Sequence, residues 1–312
     1  WVVQQAPTRL TKAMVAVQEG SAAPTWTTVY DSLGVAADDV AVAPHAERVW
    51  VVENATRVVR GDVDGRTATM SLLPAATSWG GTPRLVAYDG ALHSVVVATD
   101  AGIMRVDANL MAFNDVDAPA TTPVVSIPVA RAIAAGFTAS GGPAAGVLFV
   151  LTASTVIRVA DGSQTTLVSF ATTHGNTGLQ HDFVHDKLYW LDTLQGELLS
   201  CGATHASGSV TVVATVASDL GEAVTSLALD ATAHRLYLAL PESGRIVRAD
   251  LTAATLSYTV VATGLSQPQL VGAFAAWAPS DDDEATSSAS PVSLLTHGGV
   301  AVDVVSDAPS PV

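Results

Sequence analysis

GLQHDFVHDKLYWLD, residues Gly178 to Asp192, reads as two short strands. Leu179 to Phe183 is the first, His185-Asp186-Lys187 is a turn, and Leu188 to Leu191 is an aromatic and aliphatic run suited to a pleated surface. A lone hairpin is at best marginally stable in water, so copies of it are expected elsewhere in the chain. They are present. Asp182 stands seven residues before Tyr189, Asp230 seven before Tyr237 in SLALDATAHRLYLAL, and Asp89 seven before Val96 in LVAYDGALHSVVVA. The chain is a repeat protein.

A third strand in each unit confirms the register. Two apolar residues precede an arginine at Val58-Val59-Arg60, Ile103-Met104-Arg105, Val156-Ile157-Arg158 and Ile246-Val247-Arg248, and an aspartate follows at Asp62, Asp107, Asp161 and Asp250. The fifth unit carries Leu198-Leu199-Ser200 instead, and the steps from unit to unit are 45, 53, 42 and 48 residues. Four short strands per repeat of that length indicate an all-β fold, a β-propeller of four-stranded antiparallel blades. Helical periodicity is absent, which excludes a helical solenoid.

Counting second-and-third-strand pairs gives seven units with the outer two incomplete. The first holds only Trp1 to Val3, Thr8 to Val17 and Thr25 to Tyr30, and the seventh begins at Gln269. Residues 1–279 are read as blades, 280–290 as an acidic, Ser-rich insertion, 291–305 as a further blade hairpin or the start of a segment beyond the ring, and 306–312 as a Pro/Ser linker. LTHGGVAVDV imitates LTASTVIRVAD, which favours seven. The alternative is a six-bladed ring closed by pairing Gln269 to Trp277 with the N-terminal strands, leaving 291–305 outside it. The chain opens WVVQQ with no Met, so a processed product or a piece of a longer chain is expected.

Composition narrows the partners. With 29 acidic against 14 basic residues the net charge is −15, which disfavours nucleic acid and anionic membrane. No stretch approaches the roughly 20 apolar residues of a membrane helix. Cys201 is the one cysteine, so no internal disulfide forms, and a buried inert thiol is expected.

The fifth unit, GLQHDFVHDKLYWLDTLQGELLSC, resembles the YWTD repeat of low-density-lipoprotein-receptor-type propellers, with Tyr189-Trp190-Leu191-Asp192 at the name motif and Leu191 in place of Thr. The sixth unit keeps Leu236-Tyr237 but has Ala239-Leu240 where Thr-Asp would be. NHL-repeat propellers are similar at this level. The resemblance covers about residues 36 to 264. It implies a propeller, six-bladed in that family, of extracellular or cell-surface type.

Candidate site residues are placed by this frame. Loops entering the first strands of propeller blades present binding groups on one ring face, here Trp79, Arg84, His174, Asn176, Glu222 and Gln269. Gluconolactonase-like propellers hold a divalent metal at the channel mouth with acid and amide side chains, and of these residues only Asn176 and Glu222 are natural ligands. His181, Asp182, His185 and Asp186 have the residue types of a metal cluster. However, Asp182 recurs as Asp89 and Asp230 without the histidines, and His185 matches His234, so turn and packing roles are expected and no metal is assigned. Asp281-Asp282-Asp283-Glu284 offers oxygens for Ca²⁺ but lacks a Gly-bearing loop. Asn54-Ala55-Thr56 is an N-glycosylation sequon in a tight turn. Nucleophile elbows, phosphate loops and zinc-protease motifs are absent. The expectation is a non-catalytic extracellular module that binds other proteins, neighbouring domains or copies of itself, without cofactor. The alternative is a metal-dependent hydrolase or lactonase.

Overall fold

The computed structural model describes residues 2–5, 8–16, 26–30, 37–43, 48–53, 55–62, 71–72, 79–89, 92–107, 122–127, 129–137, 143–171, 174–204, 209–231, 233–253, 255–265, 268, 272–274, 291–295 and 301–305. Asn54, Gln269, the acidic run at 281–284 and the 306–312 tail lie outside the described residues.

Three strands come first: β1 (Val2–Gln5), β2 (Thr8–Ala16) and β3 (Trp26–Tyr30). Five four-stranded antiparallel blades succeed them. Blade one is β4 (Ala37–Ala43), β5 (Arg48–Glu53), β6 (Arg57–Asp62) and β7 (Ser71–Leu72). Blade two is β8 (Pro83–Asp89), β9 (Ser94–Thr99), β10 (Ile103–Asp107) and β11 (Thr122–Val125). Blade three is β12 (Ala132–Phe137), β13 (Pro143–Leu151), β14 (Thr155–Ala160) and β15 (Ser163–Ser169). Blade four is β16 (Asn176–Asp182), β17 (Lys187–Asp192), β18 (Glu197–Gly202) and β19 (Thr211–Ala214), and the short helix α1 (Val216–Leu220) leads to blade five. That blade is β20 (Ser226–Asp230), β21 (Arg235–Leu240), β22 (Arg245–Asp250) and β23 (Tyr258–Ala262). The chain continues through β24 (Gly272–Phe274), β25 (Pro291–Leu295) and β26 (Ala301–Val305).

The blade count departs from the sequence reading. Among the described residues five four-stranded blades are present, neither seven nor six. The two incomplete ends are not blades of their own. β24, β25 and β26 join β1, β2 and β3 in one six-stranded sheet, in which β26 runs parallel to β2. In the six-bladed alternative 291–305 lay outside the ring, whereas β25 and β26 sit within this shared sheet. An incomplete hairpin exposes unpaired backbone groups, and the opposite incomplete end is the edge able to satisfy them. First strands neighbour one another in the order β4, β8, β12, β16, β20, and the shared sheet touches both β20 and β4.

The core lies between blades. Each second strand is sandwiched on both faces, so it reads as an unbroken apolar run whose alternate residues feed two different interfaces. In β17, Leu188 and Trp190 pack toward blade three, while Tyr189 and Leu191 pack toward blade five. In β9, Val95 and Val97 face blade one, and Val96 and Ala98 face blade three. Trp50 of β5 stacks on Tyr88 of β8 with ring centroids 5.3 Å apart. Gly178 takes a left-handed φ of +67° where a Cβ would lie 3.4 Å from Leu227 of the next blade, which favours glycine at the head of the quoted stretch.

The third-strand arginines occupy one register position. Arg60, Arg105, Arg158 and Arg248 stand opposite Trp50, Val96, Phe149 and Tyr237, and in blade four Ser200 stands opposite Tyr189. Arg105 reaches back across its blade to the buried Asp89 carboxylate at 3.1 Å. Among the described residues, no helix is long and apolar enough to cross a membrane.

Candidate functional site

The starts of first strands meet at one end of the ring. There a cavity of about 500 Å³ is lined by Arg131 beside β12, Gly175, Asn176 and Thr177 at the start of β16, Thr193 just beyond β17, and Thr225 beside β20. Asp192 organises it. This carboxylate is fully buried, and its Oδ1 accepts hydrogen bonds from the backbone N–H groups of Gly175 (2.9 Å), Leu194 (3.0 Å) and Gln195 (3.4 Å). Its Oδ2 makes a short contact with His174 Nδ1. Burial works to raise the Asp192 pKa, but the His174 contact and the backbone donors outweigh it and hold the carboxyl below its usual range. The result ties the β17–β18 turn to the loop entering β16. Thr193 completes the tie by donating its hydroxyl to the Gly175 carbonyl at 2.8 Å.

Two polar atoms at this end lack a partner. Asn176 is 2% exposed, and its Nδ2 donates to the Thr152 carbonyl of blade three at 3.0 Å. That bond assigns the amide, leaving Oδ1 buried with no hydrogen bond. Thr225 Oγ1 is likewise buried and unpartnered. Such groups are uncommon in folded proteins and call for a ligand or solvent partner. Arg131 is exposed, and its guanidinium lies 3.4 Å from the His174 carbonyl. The cavity therefore offers a cation, an amide oxygen and hydroxyls, a set that binds neutral or anionic hydrogen-bonding groups. Flanking it in sequence are Val129, 65% exposed, and Leu194, 68% exposed. They are the two most exposed large hydrophobic side chains among the described residues.

The structure sorts the residues singled out in the sequence. Asn176 lines the cavity, and His174 sits behind it, tilted on Phe170 and bound to Asp192. Arg84 is exposed on β8. Trp79 is fully buried between blades one and two, so its ring packs the core and presents no surface. Glu222 turns to its own blade, accepting from Ser243 Oγ at 2.6 Å and Arg245 at 2.5 Å. Burial would raise its pKa, but these bonds prevail and hold it low. Arg131, Thr193 and Thr225 were not singled out, and Asp192 was named only as the last residue of the YWTD-like motif, without a site role. For those three the signal is position alone: each lies next to a blade-strand end.

The histidine-rich turn lies at the opposite end, between first and second strands. His181 is not part of a cluster there: it packs on Phe149 at 4.7 Å, and burial pushes its pKa down to about 4. Asp186 instead accepts from the Thr204 hydroxyl at 2.5 Å. Asp182 and His185 are joined by His234 of blade five. The pairing registers Asp182 with Lys187, Asp230 with Arg235 and Asp89 with Ser94, so His234 corresponds to Asp186 and His93, not to His185. All three of those residues take positive φ, from 46° to 52°.

No protein-family model matches the chain, and no curated protein matches it. Solved structures do. The propeller of the nidogen/laminin complex superposes with a TM-score of 0.61 at 11% identity, covering 83% of this chain and 92% of that one. A gluconolactonase from Xanthomonas campestris gives 0.58 at 14% identity, covering 92% and 95%. YCF48 bound to D1 peptide gives 0.54 at 15% identity, covering 98% and 97%. At these identities the likeness shows the fold, a β-propeller, and the fold hosts both protein-binding and lactonase members.

Proposed function

We propose that the chain is a non-catalytic propeller that binds a protein partner at the ring end where the first strands begin, as a YWTD-like module of a secreted or cell-surface protein. The observation that carries this reading is the polar cavity with its unpartnered Asn176 oxygen, with the exposed Leu194 beside its lining residue Gly175 and the exposed Val129 two residues before Arg131 in the chain. A partner chain supplies aliphatic contacts to Leu194 and Val129 and a donor to Asn176 Oδ1, and Arg131 receives a carboxylate or carbonyl. Glu222, needed by the lactonase alternative as an acid ligand at the mouth, is engaged by Arg245 and Ser243. The nidogen and YCF48 structures are both of propellers with a protein or peptide partner, in keeping with this use of the fold. A glycan on Asn54 belongs to the same reading.

The test uses a displayed random-peptide library selected on the wild-type chain. Titration calorimetry then compares a selected peptide on Arg131→Ala, Leu194→Asp and Asn176→Asp, with Lys187→Ala at the opposite end as control. The expected result is at least about tenfold weaker binding for the three mouth variants and none for the control. Peptides that bind all variants equally overturn the reading. So does divalent-metal-dependent lactone hydrolysis that is lost in Asn176→Asp and Glu222→Gln, which selects the enzyme.

A further inference from the structure

We propose that Asp182, His185 and His234 form a transition-metal site, suited to Zn²⁺, that clasps blade four to blade five at the ring end opposite the cavity. Asp182 Oδ2 lies 3.0 Å from His185 Nδ1 and 3.1 Å from His234 Nε2, and the three ligand atoms fall within 4.8 Å of one another. Ligands of a tetrahedral zinc at about 2.0–2.1 Å stand roughly 3.3 Å apart, so the separations suit an ion once the exposed His185 ring rotates out of its stack on His234 and both lone pairs turn toward one point. Two imidazole nitrogens and one carboxylate oxygen are the donors of zinc and its neighbours, not of Ca²⁺ or Mg²⁺. The fourth position opens to solvent on the side of His185, whose side chain is 41% exposed.

Three independent features set this turn apart from the other blades. First, in blade two the buried first-strand aspartate meets a fixed cation, Arg105 to Asp89 at 3.1 Å. Blade four has Ser200 at that register position, so the fully buried Asp182 carboxylate faces histidines instead. Second, His234 Nε2 is buried without a hydrogen bond, although 3.1 Å from Asp182 Oδ2. A bound cation would use that lone pair. Third, the two imidazoles are stacked, centroids 3.7 Å apart and 21° between planes, and the stack brings a nitrogen of each ring to the same Asp182 oxygen. Asp182 Oδ1 is meanwhile held by the backbone N–H groups of Val184 and His185 at 3.2 and 3.1 Å. That orients the carboxylate as an outer-shell contact orients a ligand. Because the donors come from two blades, metal binding and blade docking are coupled.

The test is zinc titration of the chelator-treated full chain by calorimetry, with Co²⁺ absorption as a second readout. One Zn²⁺ per chain is expected, with a raised Tm. His185→Ala and His234→Ala each abolish that single site, and His93→Ala, the equivalent turn of blade two, retains it. His185→Cys restores Co²⁺ binding and adds a thiolate-to-cobalt charge-transfer band. Because His185 is half-exposed, this variant is expected to fold, and the band distinguishes a ligand from a packing residue. Zinc binding that is absent, or that survives unchanged in both histidine-to-alanine variants, overturns the proposal. So does a His185→Cys protein that folds without the charge-transfer band.

Discussion

Replacing Asp192 by alanine tests whether one buried carboxylate builds the mouth of the ring. The substitution removes the acceptor for Gly175, Leu194 and Gln195 N–H and for His174. Leu194 and Gln195 are exposed and rehydrate, and the Gln195 bond is already long at 3.4 Å. The loss therefore falls mainly on Gly175 and His174. Hydrogen bonds to a charged group contribute about 1.5–3 kcal/mol each, so Asp192→Ala is expected to cost roughly 3–6 kcal/mol. Asp192→Asn keeps an acceptor for the backbone donors and is expected to cost about half of that. Urea unfolding followed by tryptophan fluorescence measures both. The pH dependence has a definite sign. The folded carboxyl is held below its usual range, so its contribution is fully present above the unfolded value of about 3.9. It is lost as pH falls through the folded value. The gap between wild type and Asp192→Ala should be constant near neutrality and shrink in acid. A gap under about 1 kcal/mol at pH 7, or one that does not shrink, refutes the organising role.

The packing yields three further expected outcomes. His181 titrates near 4 in the fold against 6.5 when exposed, so stability should be intact above 6.5 and decline between 6.5 and about 4; His181→Phe should flatten that decline in urea midpoints taken across the range. Gly244→Ala places a Cβ 2.2 Å from the Leu265 carbonyl at a φ of +63° and should destabilise more than Gly162→Ala, where φ is +73° but nothing lies within 4 Å and only about 1–2 kcal/mol of backbone strain is added; thermal melts of the two variants compare them. Cys201 is buried with its thiol pushed up to about 12, so it should resist a disulfide-exchange reagent in the native chain and react fully in denaturant.

Blade identity was legible because it is written locally. Each second strand is buried on both faces, which demands unbroken apolar runs such as Leu188 to Leu191, and in every blade but the fourth the opposing third strand carries arginine at one register position. Closure was not legible, because it depends on which open edges meet across the whole chain. β26 lies beside β2 although the two stand at opposite ends of the sequence. Candidate residues divided in the same way. Asn176 comes after a loop and opens a first strand, and both facts can be seen in the sequence. Trp79 sits in a similar loop, yet its large apolar ring is drawn into the interface between two blades. The His234 partnership is hidden in the sequence for a more specific reason. Counting from the aspartate puts His185 at the third position and His234 at the fourth, and only the strand pairing shows that different turn positions from adjacent blades converge on one carboxylate.

The most direct test of the binding account is a crystal structure of the chain with a selected peptide. The peptide should lie across Val129 and Leu194, with a donor within hydrogen-bond distance of Asn176 Oδ1 and an acceptor on Arg131. A peptide seated on the opposite end of the ring or on an outer blade edge, with the Asn176 oxygen unengaged, would contradict it.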